Sequence, residues 1–338
     1  MRLRASLFCA CSFLAVASML PACDELAKAV DANNNQPGEA DGRAVELAAF
    51  PQRVASIATD DKEIVIVAEN GDVLTRPLEG TDAPKRIGGF TRANSYSNNA
   101  RALLDADFIY ILDGVAVHRM PRAGGAAEKL ADVATSGLAQ SSDALFAVGK
   151  ERTSIVRIDK KTKEMTELAT GFGRVLDIAG EADRVDVADQ ELETITAVAM
   201  KDGAKTELAK NQSRPSYIGL GPDHVYWFNG SLSDTNKAVE DRVMRVRKDG
   251  AGTAEVVAPV TGGFNGPIRA DAQFVYLGRA GYGLFRAPAA GGEAVKYVNV
   301  SVVDLALVGT RVLALEDNGF RFSDEEKKKP NRLLSIAP

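Results

Sequence analysis

Only two imidazoles, His118 and His224, occur in the 338-residue chain, so acid–base or metal chemistry would have to be built on one of them or on carboxylates. Neither stands in a His-x-His or His-Glu-x-x-His pattern, and both fall inside apolar, strand-like runs where a lone histidine is usually structural. A Ser/His/Asp nucleophilic system would need one of them in a cleft. Carboxylates are plentiful. Asp60, Asp105, Asp107, Asp223 and Asp271 recur between successive apolar runs, where Asp bonds its own turn backbone. Gly124-Gly125 and Gly291-Gly292 read as hairpin turns and not phosphate loops, because no helix-like segment follows them. The mixed-sign run 324–329 (DEEKKK) reads as a solvated loop. These residues yield no catalytic group, no metal ligand set and no cofactor site.

A second set of residues suits binding. Gly89-Phe90, Gly171-Phe172 and Gly263-Phe264 recur between larger units, with Arg92, Asn94, Tyr96, Arg174, Arg214, Tyr217 and Asn265 close in sequence. Aromatic and Arg side chains carry much of the binding energy at interfaces. Phe90, Arg92, Tyr96, Phe172, Arg174, Arg214, Tyr217, Phe264 and Asn265 are therefore the candidate binding rim. The competing reading is that the three Phe side chains wedge between repeats as packing.

The elements that would position this rim follow from an internal repeat. Seven apolar runs recur: 64–68 (IVIVA), 108–112 (FIYIL), 144–148 (ALFAV), 184–188 (RVDVA), 224–228 (HVYWF), 274–278 (FVYLG) and 311–315 (RVLAL). In the run that follows each, Thr75, Arg119, Arg157, Ala197, Arg245, Arg286 and Ser335 hold equivalent places at a spacing of about 40 to 50 residues, which suits a four-stranded propeller blade. Pro77, Pro121 and Pro288 come two positions later, where a missing N–H donor marks the exit of a strand. Most of the seven runs are continuously apolar, as a sheet packed on both faces requires; a sandwich would alternate, and an α/β fold would need amphipathic helices between strands. The expected fold is all-β: a seven-bladed β-propeller of four-stranded antiparallel blades over residues 44–338.

The chain ends complete this reading. After the seventh run only 332–337 (RLLSIA) remains, so the last blade lacks its outer strand. Residues 44–50 (AVELAAF) match the fourth-strand segments 128–133, 166–170 and 206–210, and supply it. Pairing the first strand with the last three closes the ring and covers an edge that would otherwise invite aggregation.

The first 22 residues have the pattern of an export signal: Arg2 and Arg4, then an apolar stretch from Leu7 to Leu20 too short to span a bilayer comfortably. Removing them takes the formal charge from −5 to −7. The only cysteines are Cys9, Cys11 and Cys23, so disulfides cannot staple the repeat region. Leu20-Pro21-Ala22-Cys23 resembles the bacterial lipobox, in which the Cys is acylated and becomes the N-terminus; Pro21 departs from the small residue usual there. Cleavage after Ala15-Val16-Ala17 is the alternative, and would leave Cys23 a free thiol. Residues 24–43 are polar and end in Asn, Pro and Gly breakers, as a flexible tether would. Asp31, Asn33 and Asn35 alternate like the start of a calcium loop, but Gln36 and Gly42 stand where its Gly and bidentate Glu belong.

Val225-Tyr226-Trp227-Phe228-Asn229, with Val243-Met244-Arg245 and Lys248-Asp249-Gly250 beyond, resembles the YWTD class of propeller repeat, with Phe228-Asn229 in place of Thr-Asp. That family usually has six blades, so the resemblance implies propeller architecture and not a receptor role. In plan the chain also resembles propeller lipoproteins that help assemble outer-membrane proteins, although those carry recurrent Trp motifs and this chain has one Trp. The function these observations point to is a monomeric, non-enzymatic binding or scaffold lipoprotein of the bacterial cell envelope. It would be lipid-anchored to a membrane, on the periplasmic face or the cell surface, with one propeller rim turned to a protein or glycan. The alternative is a metal-assisted lyase or hydrolase using carboxylates at the propeller channel. A net negative chain without a basic stripe argues against nucleic acid.

Overall fold

The computed structural model describes residues 44–60, 62–92, 100–134, 137–230, 241–260, 266–320 and 327–337. The signal-like segment, Cys23 and the tether lie outside the described residues. The described chain forms seven antiparallel sheets of four strands, one after another. Their inner strands are Val54–Thr59, Arg101–Leu104, Leu138–Gln140, Val175–Glu181, Pro215–Leu220, Ile268–Ala270 and Val302–Val308, which define blades 1 to 7. Each inner strand contacts those of the two adjacent blades, and blade 7 contacts blade 1, so the sheets close into a ring.

The register of the repeat is the register of the sheets. Thr75, Arg119, Arg157, Ala197, Arg245, Arg286 and Ser335 sit opposite Val65, Tyr110, Phe146, Asp186, Tyr226, Tyr276 and Leu313, the same place in all seven second strands. Those second strands are buried almost throughout, whereas outer strands such as Met165–Ala169 (MTELA) are exposed over most of their length. The reason is position: a second strand is covered on both faces by neighbouring blades, and an outer strand meets water.

Seven hydrophobic clusters hold the ring, and each lies between two adjacent blades. Blades 7 and 1 share Phe50, Ile57, Ile66, Leu313 and Leu333. Blades 4 and 5 share Ile195, Val225 and the wholly buried Trp227, whose Nε1 donates to Asn229 Oδ1 at 2.8 Å. The other five interfaces repeat the plan. Burial at roughly 25 cal/mol per Å² of apolar surface is thus spread evenly around the ring.

Ring closure follows the expected topology. Ala44–Phe50 pairs antiparallel with Asn331–Ile336 as the outer strand of blade 7, Val45 facing Ser335 and Phe50 facing Asn331. The structure departs from the simple plan at one place: Gly125–Ala126, read from sequence as part of a turn, adds a short parallel strand to the outer edge of blade 1, beside Gly88 and Gly89. A Cβ at Gly88 would collide with Gly125 O, so the approach requires glycine there.

Candidate functional site: one rim and the central channel

The connection from one blade to the next and the turn between second and third strands lie at the same end of every blade, and together form one rim. Arg53 directly precedes the inner strand of blade 1. Its Nε donates to Asp317 Oδ2 at 3.0 Å, and its Nη1 lies 3.2 Å from Glu69 Oε2. Asp317 follows the second strand of blade 7 and Glu69 that of blade 1, so one guanidinium ties the two blades that close the ring. Arg92 links blades 1 and 2, donating to Glu69 O at 3.2 Å and Asp113 O at 3.3 Å. Burial pushes the carboxyls of Glu69 and Asp317 up, and the charge of Arg53 opposes it. Arg53 belongs to the same series as Arg92 and Arg174; Phe50-Pro-Gln-Arg53 was the sequence signal for it.

Arg174 is exposed. Its backbone N–H donates to Asp189 Oδ1 at 2.9 Å, and that of Gly173 to Oδ2 at 2.7 Å. Asp189, wholly buried, also accepts from Glu191 N and Leu192 N, so this one carboxylate shapes the loop that displays Arg174. Burial, and then the charge of Arg174, lowers the pKa of Arg152 on the neighbouring turn. Arg214 is half-buried; with the Gln190 amide oxygen turned towards it, its Nε and Nη2 each donate at 3.1 Å.

The two described Phe residues of the rim point into blade interfaces. Phe90 stacks on His118 with centroids 4.8 Å apart and packs against the cluster between blades 1 and 2. Phe172 is buried between blades 3 and 4, with Lys205 Nζ 4.8 Å from its ring centroid. Tyr217 lies in the inner strand of blade 5, at a bulge with φ of 48°, a strained conformation for a bulky residue. Burial, then the charge of Asp177, raises its pKa. Tyr96, Phe264 and Asn265, with Asn94, lie outside the described residues, as do 231–240 and 321–326.

Both histidines lie in strands of the blades. His118 is buried, its Nε2 2.9 Å from Asp113 Oδ2. Burial resists ionisation of Asp113, but the bonds from His118 and from Val115 N and Ala116 N together outweigh it and hold its pKa below the usual value. His224 packs beside Tyr226 with centroids 6.1 Å apart; burial, then Arg245, lowers its pKa. The turn carboxylates bond their own backbones: Asp60 accepts from Lys62 N and Glu63 N, Asp105 from Asp107 N and Phe108 N, and Asp271 from Gln273 N and Phe274 N.

From the sequence, carboxylates at the propeller channel are the alternative reading, without residues assigned to it. All seven inner strands line a cavity of about 200 Å³, and four of them bring Arg101, Asp177, Arg269 and Asp304 to its wall. Asp304 is 1% exposed; its Oδ2 accepts from Ser56 Oγ at 2.6 Å and Ile57 N at 3.1 Å, and its Oδ1 from Leu305 N at 2.9 Å. Ser56 Oγ accepts in turn from Ala102 N at 3.1 Å, so this relay runs through blades 7, 1 and 2. Asp177 accepts from Ile178 N at 3.0 Å and from the Ile218 N–H of blade 5; burial raises its pKa, with Arg101 foremost in opposing that. A signal existed: Val175-Leu-Asp177-Ile-Ala179 and Val302-Val-Asp304-Leu-Ala306 are the same motif, and Val54-Ala-Ser56-Ile-Ala58 is its Ser form. Each has a β-bulge just before the polar residue. Among the described residues, no three His, Cys, Asp or Glu side chains converge as metal ligands.

No family model and no curated protein matches the chain. Solved structures do. The RRP9 WD40 repeats align over 89% of this chain and 98% of their own, with TM-score 0.61 and 13% identity. The Neurospora crassa Pan2 WD40 domain aligns over 89% and 98%, with TM-score 0.60 and 12% identity. BamB from Moraxella catarrhalis aligns over 84% and 83%, with TM-score 0.53 and 12% identity. At such identities the likeness is one of fold, and the β-propeller is what these proteins share with this chain.

Proposed function

We propose that the chain is a membrane-anchored, non-enzymatic binding or scaffold lipoprotein that presents one propeller rim to a protein or glycan of the bacterial envelope. The observation that carries the reading is Arg174, an exposed guanidinium on a loop fixed by the buried Asp189 and set beside Arg152. An exposed guanidinium on a fixed loop of an otherwise acidic chain suits an acidic patch of a partner. The lipobox-like Leu20-Pro21-Ala22-Cys23 supports the anchor, and the polar 24–43 would be the tether. The turn carboxylates support a binding role over a chemical one, because Oδ1 of Asp60, Asp105 and Asp271 holds its own turn backbone and Oδ2 is taken by Arg122, by Lys160 and Tyr110, and by Tyr276.

The test is cross-linking in intact cells producing the full chain, comparing wild type with Arg174→Ala and Arg214→Ala. A specific adduct lost on Arg174→Ala supports the rim. An adduct pattern unchanged in both variants removes it.

A further inference from the structure

We propose that the central channel binds a small oxyanion, a carboxylate or phosphate group, held between Arg101 and Arg269. A guanidinium carries five N–H donors. Arg101 uses one, Nη1 to Ala100 O at 3.0 Å. Arg269 uses one well, Nη1 to Ile268 O at 2.9 Å, and a second at long range, Nη2 to Asp304 Oδ1 at 3.5 Å. Both residues line the cavity, and their remaining donors have no acceptor among the described residues.

The carboxylates on the same wall leave most of these donors uncommitted. Asp304 is taken up by Ser56 Oγ, by the backbone N–H groups of Ile57 and Leu305 and, at 3.5 Å, by Arg269 Nη2, and Asp177 accepts from Ile178 N. Among the described residues, no cationic group comes within ion-pair distance of Asp177, so Arg101 and Arg269 act on it through space and are not locked to it. Beside the two carboxylates, the channel therefore offers an occupant the remaining guanidinium donors of Arg101 and Arg269. Arg269 is partly accessible to solvent, and burial, opposed foremost by Asp304, lowers its pKa, so an anionic partner would favour its charged form.

Size narrows the class. Drug-sized ligands occupy roughly 300 to 1,000 Å³, so a cavity of about 200 Å³ suits a phosphate or a short carboxylate group and is too small to take in a whole glycan or peptide.

Isothermal titration of the full chain with inorganic phosphate and, separately, with succinate tests the site. Saturable binding of either at one per chain, weakened about tenfold or more by Arg101→Gln or Arg269→Gln, is the expected result. Phosphate alone would mark a phosphate-bearing ligand, and succinate alone a carboxylate. Binding of neither, or equal binding by wild type and both variants, overturns the proposal. Should the variants fail to fold, protection of Arg101 and Arg269 from phenylglyoxal in the wild-type chain replaces them. Unchanged modification with saturating phosphate and with saturating succinate overturns the site equally.

Discussion

Ser56 Oγ donates to Asp304 Oδ2 at 2.6 Å across the seam where the last blade meets the first, although 248 positions separate the two residues. The hydroxyl also accepts from Ala102 N, and the carboxylate from Ile57 N and Leu305 N. Ring closure is thus secured at the inner edge by a buried polar relay and at the outer edge by the pairing of Ala44–Phe50 with Asn331–Ile336.

The relay predicts unequal costs. Asp304→Ala leaves two buried N–H groups without an acceptor and should lower stability by about 3 kcal/mol, whereas Ser56→Ala should cost about 1 kcal/mol. Urea unfolding midpoints measure both. Equal small losses would mean that water replaces the carboxylate and the relay is not structural.

Removing residues 44–50 exposes the edge of Asn331–Ile336 and takes Phe50 and Ala48 from the cluster between blades 7 and 1. The shortened chain should melt at a sharply lower temperature and scatter light on warming, since an uncovered β-edge pairs with other chains. A melting temperature equal to that of the full chain would refute closure by this strand.

Asp186 supplies a pH test. It is buried on the second strand of blade 4; burial pushes its pKa up to about 6, against the opposing charge of Arg184, whose Nε donates to Oδ2 at 3.0 Å. Because the folded value lies above the ordinary 3.8, the folded state holds the proton more tightly, and stability falls as pH rises from about 4 through 6. The loss is on the order of 3 kcal/mol. Asp186→Asn should flatten this part of the stability curve between pH 4 and 7. A variant as steep as wild type would place the titration elsewhere.

Acylation of Cys23 predicts incorporation of an alkyne-labelled fatty acid and recovery in the membrane fraction of producing bacteria. Cys23→Ala should lose the label and leave the membrane fraction, since each buried acyl methylene contributes about 0.8 kcal/mol of anchoring. Label retained in Cys23→Ala would place the lipid on another residue, and an unlabelled wild type would leave ordinary cleavage as the account of this segment.

The two halves of the molecule were unequally legible. The rim arginines could be read because Arg174 and Arg214 stand directly before inner strands, as in Phe172-Gly-Arg174-Val175, and Arg92 follows Gly89-Phe90. Their roles could not: Arg92 bridges two turns, Arg174 faces water, and Arg214 turns to Gln190, differences set by which neighbour the fold brings to each. Tyr217 read as part of a connection between blades. A bulge instead carries it into the inner strand, within reach of the charges of Asp177 and Arg101.

By itself the sequence determined the number of blades, the strand register and the partner of the first strand. The first two rest on contacts between residues near in sequence, the third on the one strand that a period copied seven times leaves missing, and a repeated local pattern is visible in one dimension. Only the tertiary structure decided that Arg101, Asp177, Arg269 and Asp304 share one small cavity. Those four come from four different blades, and the distances between them are fixed by the closing of the ring, to which no local pattern corresponds.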